Sequence, residues 1–137
     1  MIINEKIPSR LGLIPDFIHG FLKKIKHLSL GRDDIFSIKL ALEEALVNAI
    51  KHGNKMDPET LVEFRADIQD SRLTLQVSDK GTGFDFKSIS DPTAQDKLAK
   101  TSGRGIFLIK KLMDEVDFSD CGRTIKMIKF IGKGDKK

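Results

Sequence analysis

The sequence predicts an α+β fold, a two-layer sandwich with a mixed, mostly antiparallel sheet and about three helices on one face. Three observations lead there. Apolar residues recur at helical spacing in two segments before residue 53. Two alternating runs follow, at 62–69 and 72–77, joined by the short turn Asp70-Ser71. After a stretch rich in Gly, Asp, Ser, Thr and Lys, one more helical pattern precedes a closing hairpin. With 137 residues the chain is sized for one domain, residues 1–137, around one core.

Residues 1–7 alternate weakly and suit an edge strand. In residues 14–28, Ile14, Phe17, Ile18, Phe21, Leu22, Ile25 and Leu28 fall at helical spacing, with Gly20 inside the pattern. A second helix is expected with Asp33 or Asp34 as N-cap and Gly53 as its stop. Its apolar stripe is Ile35, Ile38, Leu42, Ala45, Leu46 and Ala49. Val62, Phe64, Ala66 and Ile68 then alternate with polar residues, as do Leu73, Leu75 and Val77. A third helix is predicted from Gly105 to Met113, after a lid loop at about 86–102. Residues 115–119 and 123–131 form the hairpin around Asp120-Cys121-Gly122.

Hydrophobic residues make up 39% and charged residues 32%, an ordinary soluble balance. No apolar run approaches the ~18 residues of a membrane span. The start, Met1-Ile2-Ile3-Asn4-Glu5-Lys6, lacks the pattern of a signal peptide. Cys121, a single cysteine, excludes an internal disulfide. A cytoplasmic, membrane-free protein is expected. The net charge of +4 comes from interspersed acids and bases, with small clusters at Lys23, Lys24 and Lys26 and at Lys133, Lys136 and Lys137. Trp and Tyr are absent, so no aromatic platform for stacking bases is evident and direct nucleic-acid binding is not expected. An acidic protein or a phosphorylated ligand suits the charge equally well.

Three segments carry candidate chemistry. On a wheel of about 100° per residue, Glu44 and Asn48 stack one turn apart, with Ser37 and Lys51 on their side. Glu43 lies elsewhere and is expected to pair with Lys39. An amide oxygen such as that of Asn48 is a hard neutral ligand for Mg²⁺. A carboxylate such as Glu44 can take a proton from a hydroxyl aimed at a phosphate. The same pair also suits a plain solvated helix face. Second, parity points Asp79 to the face of Leu73, Leu75 and Val77. An inward carboxylate beside the Gly81-Thr82-Gly83 turn suits an exocyclic amino group such as that of adenine; an ordinary Asp-x-Gly turn fits as well. Third, Thr101-Ser102-Gly103-Arg104-Gly105 leads into Ile106-Phe107-Leu108-Ile109. Small residues opening a helix make a phosphate seat, or simply an N-cap at Ser102.

Together and in this order, the three segments resemble the GHKL (histidine-kinase-like) ATPase family. Glu44-Ala-Leu-Val-Asn48-Ala-Ile-Lys-His52-Gly53 resembles its N box, Asp79-Lys-Gly81-Thr-Gly83 its first glycine box and Gly103-Arg-Gly105-Ile-Phe-Leu-Ile its second. Thr124 matches the family's threonine near the adenine. The resemblance spans about residues 8–131. With 137 residues neither a transducer domain nor a sensor-kinase hairpin is expected, and His19 and His27 are expected at the surface. A free-standing domain of this size, with Leu112-Met113-Asp114-Glu115-Val116 after the glycine box, is most similar to the bacterial anti-sigma factor/serine kinase group.

That resemblance implies an ATP-binding anti-sigma factor with serine/threonine kinase activity toward an anti-sigma-factor antagonist, which keeps a sigma factor sequestered, and an expected homodimer. It implies ATP on the open face of the sheet, Mg²⁺ on Asn48 and the phosphates, Asp79 on the adenine amino group, and Glu44 as catalytic base. The phosphates would contact Ser102, Gly103, Arg104 and Gly105. Some kinases of this group carry an arginine where this chain has Thr101, between Lys100 and Ser102. A nucleotide-gated switch that captures a partner without phosphoryl transfer is the alternative the same motifs allow.

Overall fold

The computed structural model describes residues 1–28, 30–81 and 97–131, with backbone only for 97–103. Five strands form one sheet: β1 (Ile2–Pro8), β2 (Leu61–Gln69), β3 (Arg72–Ser78), β4 (Glu115–Ser119) and β5 (Thr124–Phe130). Their order is β1-β2-β3-β5-β4 and every neighbouring pair is antiparallel. The sheet is thus wholly antiparallel among the described residues, where a mixed one was expected. Three helices, α1 (Ile14–Lys24), α2 (Arg32–Val47) and α3 (Lys97–Leu112), complete the α+β fold.

Helix α1 starts with proline in its first turn and ends in Lys23 and Lys24, as the helix dipole favours. Ile14, Ile18 and Phe21 bury one face of it. Phe17 and Phe21 meet Phe64 of β2 edge-on, with ring centroids 5.0 and 5.1 Å apart. The apolar pattern that suggests a helix to residue 28 is split: α1 ends at Lys24, Ile25 stays buried, and a 3-10 turn covers Lys26–Leu28. Lys24 pairs with Glu5 at 2.7 Å, tying the end of α1 to the edge strand.

Helix α2 is capped by extended Gly31, not by Asp33 or Asp34. Both aspartates lie in its first turn, where the dipole still favours them. Ile38, Ala41, Leu42, Ala45 and Leu46 bury its inner face. Ile35 was expected on that stripe but is 39% exposed, one turn too early to reach the sheet. Lys39 and Glu43 do not pair; the ion pairs among the described residues lie elsewhere. Beyond Val47 the hydrogen bonding widens into a π-helical turn, Asn48–Gly53. Such turns are rare and re-aim the side chains that follow.

Helix α3 begins at Lys97, eight residues before the predicted start. Lys97, Leu98, Ala99 and Lys100 are all good helix formers. So 97–102 of the expected lid is helical, and 86–96 lies outside the described residues. Gly103 and Gly105 are therefore interior helix positions rather than its opening.

The helices pack on the face that carries Phe64, Leu73, Leu75, Val77 and Met127, all fully buried. Among the described residues no helix is long and apolar enough to cross a membrane.

Candidate functional site

Two clusters form at the two ends of the π-helical turn. The first gathers Glu44, Asn48 and Gly105. A Cβ placed on Gly105 would stand 2.7 Å from Glu44 Oε1 and 3.4 Å from Asn48 Nδ2. The bare backbone of α3 therefore lies directly over the carboxylate and amide of α2, in a cradle that any side chain would fill. Burial raises the Glu44 carboxyl above its ordinary value, and the neighbouring charge of Glu43 adds to this. A carboxylate so tuned is a stronger proton acceptor than a free one.

The second cluster lies at the far end of the π-helical turn, around Asp79. Its carboxyl packs against Gly53, so closely that a Cβ there would collide with it. Asp79 Oδ1 accepts the Gly81 N–H at 2.8 Å, and the Asp79 N–H donates to Arg123 O at 2.9 Å. Gly81 in turn packs on the carbonyl of Gly53, leaving no space for a Cβ. Burial raises the Asp79 carboxyl; the Gly81 N–H and Arg123 pull it back down, and Asp120 adds to the rise. Burial also lowers the neighbouring His52, helped by Lys51 and Lys55, which favours neutral imidazole.

A buried asparagine braces this region. Asn54 Oδ1 accepts the Lys80 N–H at 2.7 Å, while Asn54 Nδ2 donates to Ser9 Oγ at 3.0 Å. The Asn54 N–H closes the π-helical turn on Ala49 O at 2.8 Å. One residue thus ties the turn of Asp79 to the π-helical turn and to the start of the chain. Sequence reasoning missed Asn54 and Arg123. The only hint was a polar residue directly after the Gly53 stop, and a charged one directly after the Gly122 turn.

Not every expected residue comes to the site. Thr124 does not meet Asp79. It pairs with Ser78 across β3 and β5, and the two hydroxyls lie 2.9 Å apart. Alternation puts both on the side opposite Val77 and Ile125, away from the helices. Arg123, one residue earlier, occupies the place beside Asp79 instead. Arg104 is exposed, Gly83 lies outside the described residues, and Ser102 and Gly103 are placed only as backbone of α3. The first turn of α3 is Lys97–Lys100, not the glycine pair. Glu44, Asn48, Gly105, Gly53 and Asp79 all sit on the helix-covered side of the sheet.

Residues 7–129 match the model of the histidine kinase-like ATPase domain. The chain belongs to the histidine kinase-like ATPase family. Its relatives in that family include the serine-protein kinase RsbW of Staphylococcus epidermidis, 38% identical over 109 residues, which span 74% of this chain and 69% of that protein. The serine-protein kinase RsbW of Staphylococcus aureus is 37% identical over the same shares.

Among the described residues no group of three or more His, Cys, Asp or Glu side chains could hold a metal ion. Mg²⁺ needs no such cage, since it is commonly held by one or two protein oxygens together with substrate phosphates. The oxygen of the Asn48 amide is a ligand of that kind; the Nδ2 is the atom that faces Gly105.

Proposed function

We propose that the chain is an ATP-dependent serine/threonine protein kinase and anti-sigma factor that phosphorylates an anti-sigma-factor antagonist, so that a sigma factor stays sequestered. The observation that carries this reading is the convergence of Glu44 and Asn48 on the bare backbone of Gly105. In this reading Glu44 is the base and the Asn48 amide the metal ligand. The 38% identity to a serine-protein kinase supports the chemistry.

In this reading Asp79 accepts a hydrogen bond from the adenine amino group, and Gly53 and Gly81 keep the pocket wall thin beside it. Gly105 and its neighbours leave space for the phosphates. Mg²⁺ held by Asn48 and the phosphates would neutralise charge developing at the γ-phosphoryl group. Glu44 takes the proton from a serine hydroxyl as its oxygen bonds to the γ-phosphorus. The bond from that phosphorus to the β–γ bridging oxygen breaks, and ADP leaves. Positioning and charge do most of this work.

The test is phosphoryl transfer from γ-labelled ATP to a serine-bearing antagonist. Glu44→Ala should retain nucleotide binding and lose transfer; transfer at the normal rate would remove Glu44 as the base. One observation favours the second reading, a nucleotide-gated switch without transfer. Helix α3 runs unbroken through Gly103 and Gly105. Offering their N–H groups to phosphate requires the helix to start later, a change that nucleotide would drive and a partner could sense. Intact nucleotide affinity with no phosphorylated product would support that reading.

A further inference from the structure

The hairpin between β4 and β5 turns through three consecutive residues of positive φ: Asp120 at 54°, Cys121 at 56° and Gly122 at 87°. Two of the three carry side chains, in a conformation such residues rarely adopt. Strain of this kind persists when surrounding contacts over-determine it. Here the contacts converge on the next residue, Arg123. Its N–H donates to Asp120 O at 3.0 Å, and its carbonyl accepts the Asp79 N–H at 2.9 Å. Its Nη1 donates to Gly81 O at 3.2 Å. Its Nε and Nη2 donate to the two carboxylate oxygens of Asp120 at 3.3 and 3.2 Å.

We propose that Arg123 is a positioning residue for the Asp79–Gly81 turn, gripping it at both ends and itself held in orientation by Asp120. The inference rests on the reading of Asp79 as the group that recognises the nucleotide base. The geometry is specific to arginine. A planar fork serves the Asp120 carboxylate and the Gly81 carbonyl together; a lysine ammonium on a flexible stem cannot hold that arrangement. The chain of effect is short. Arg123 fixes the Gly81 carbonyl, and the amide of the same residue holds the Asp79 carboxylate that packs on Gly53. Among the described residues the groups facing that carboxylate are the Gly81 N–H, Arg123 and Asp120 from the hairpin, and Gly53 from the π-helical turn, which carries no charge. Arg123 favours the ionised form of Asp79 and Asp120 opposes it.

The experiment titrates the full chain with ATP and Mg²⁺ by calorimetry from pH 5 to 8, comparing wild type with Arg123→Gln, Arg123→Lys, Asp120→Asn and Asp79→Asn. Thermal melting checks that each variant is folded. Arg123→Gln should bind roughly tenfold more weakly, the scale of losing hydrogen bonds from a charged donor. Arg123→Lys keeps the charge but not the fork and should not restore affinity. The pH at which affinity halves should move up in Arg123→Gln, because ionised Asp79 loses a favourable neighbour, and down in Asp120→Asn. A merely structural role would shift neither midpoint. Wild-type affinity and midpoint in Arg123→Gln, with binding lost in Asp79→Asn, would overturn the proposal and leave the base reading intact. Undiminished binding in Asp79→Asn would overturn the base reading itself, and the proposal with it.

Discussion

Gly105→Ala tests the cradle with one methyl group. In an ordinary helix interior this change is stabilising by about 1 kcal/mol, because alanine loses less backbone freedom than glycine. Gly105 is such an interior position in α3. The new Cβ would stand 2.7 Å from Glu44 Oε1, against an ordinary contact of 3.4 Å or more. The carboxylate is the far end of a flexible side chain, so it is the group that yields, by about 0.7 Å. Asn48 Nδ2, at 3.4 Å, is barely touched. A misplacement near 1 Å costs on the order of 10²-fold in a positioned reaction, so transfer should fall by roughly 10- to 100-fold. Melting temperature should hold or rise, and Mg²⁺–ATP affinity should change far less than the rate. The assay pairs γ-phosphoryl transfer to a serine-bearing partner with calorimetry and melting on the same preparations. A wild-type transfer rate in the alanine variant would refute the argument that Glu44 works from this cradle.

Other expectations follow from the same geometry. Asp79→Asn removes a carboxylate whose charged form is disfavoured by burial, so the free protein should melt at the same temperature or higher at pH 7 while its nucleotide-induced shift in melting temperature disappears. Because the folded-state carboxyl is raised, its cost to stability is present at neutral pH and fades as pH falls through the raised value; the gain from Asp79→Asn should fade likewise in melts run toward pH 4. Glu43→Gln withdraws a charge that raises Glu44, so the acid limb of the rate profile should move to lower pH, measured as transfer rate against pH. Gly81→Ala drives a methyl group into backbone, the Gly53 carbonyl, which cannot swing aside; it should cost about 1–3 kcal/mol by urea unfolding, where Gly105→Ala costs nothing.

The alternation of 62–77 and the buried spacing of Ile14, Ile18 and Phe21 were legible because burial imposes a period on sequence. So was Glu44 beside Asn48, since one helical turn separates them. Boundaries were less so. Lys97–Lys100 carry helix propensity but no apolar stripe that marks them, and the two glycines following them read as a start rather than as a cradle. The π-helical turn has no period of its own; only packing shows that it sets Asn48 and Gly53 at opposite ends of the site. Adjacent residues of β5 face opposite ways, so motif matching at Thr124 gave no sign that Arg123 contacts the Asp79 turn. Asn54 acts through three separate segments, the start of the chain, the π-helical turn and Lys80, a relation no local pattern encodes.

The central claim is that α2 and the Asp79 turn together form one Mg²⁺-dependent ATP site. Its most direct measurement is calorimetric titration of the full chain with ATP, with and without Mg²⁺, beside Asn48→Ala and Asp79→Asn. The account predicts Mg²⁺-dependent binding in the wild type that is lost in both variants. Wild-type binding that ignores Mg²⁺ and survives both substitutions, or no binding at millimolar ATP, would contradict it.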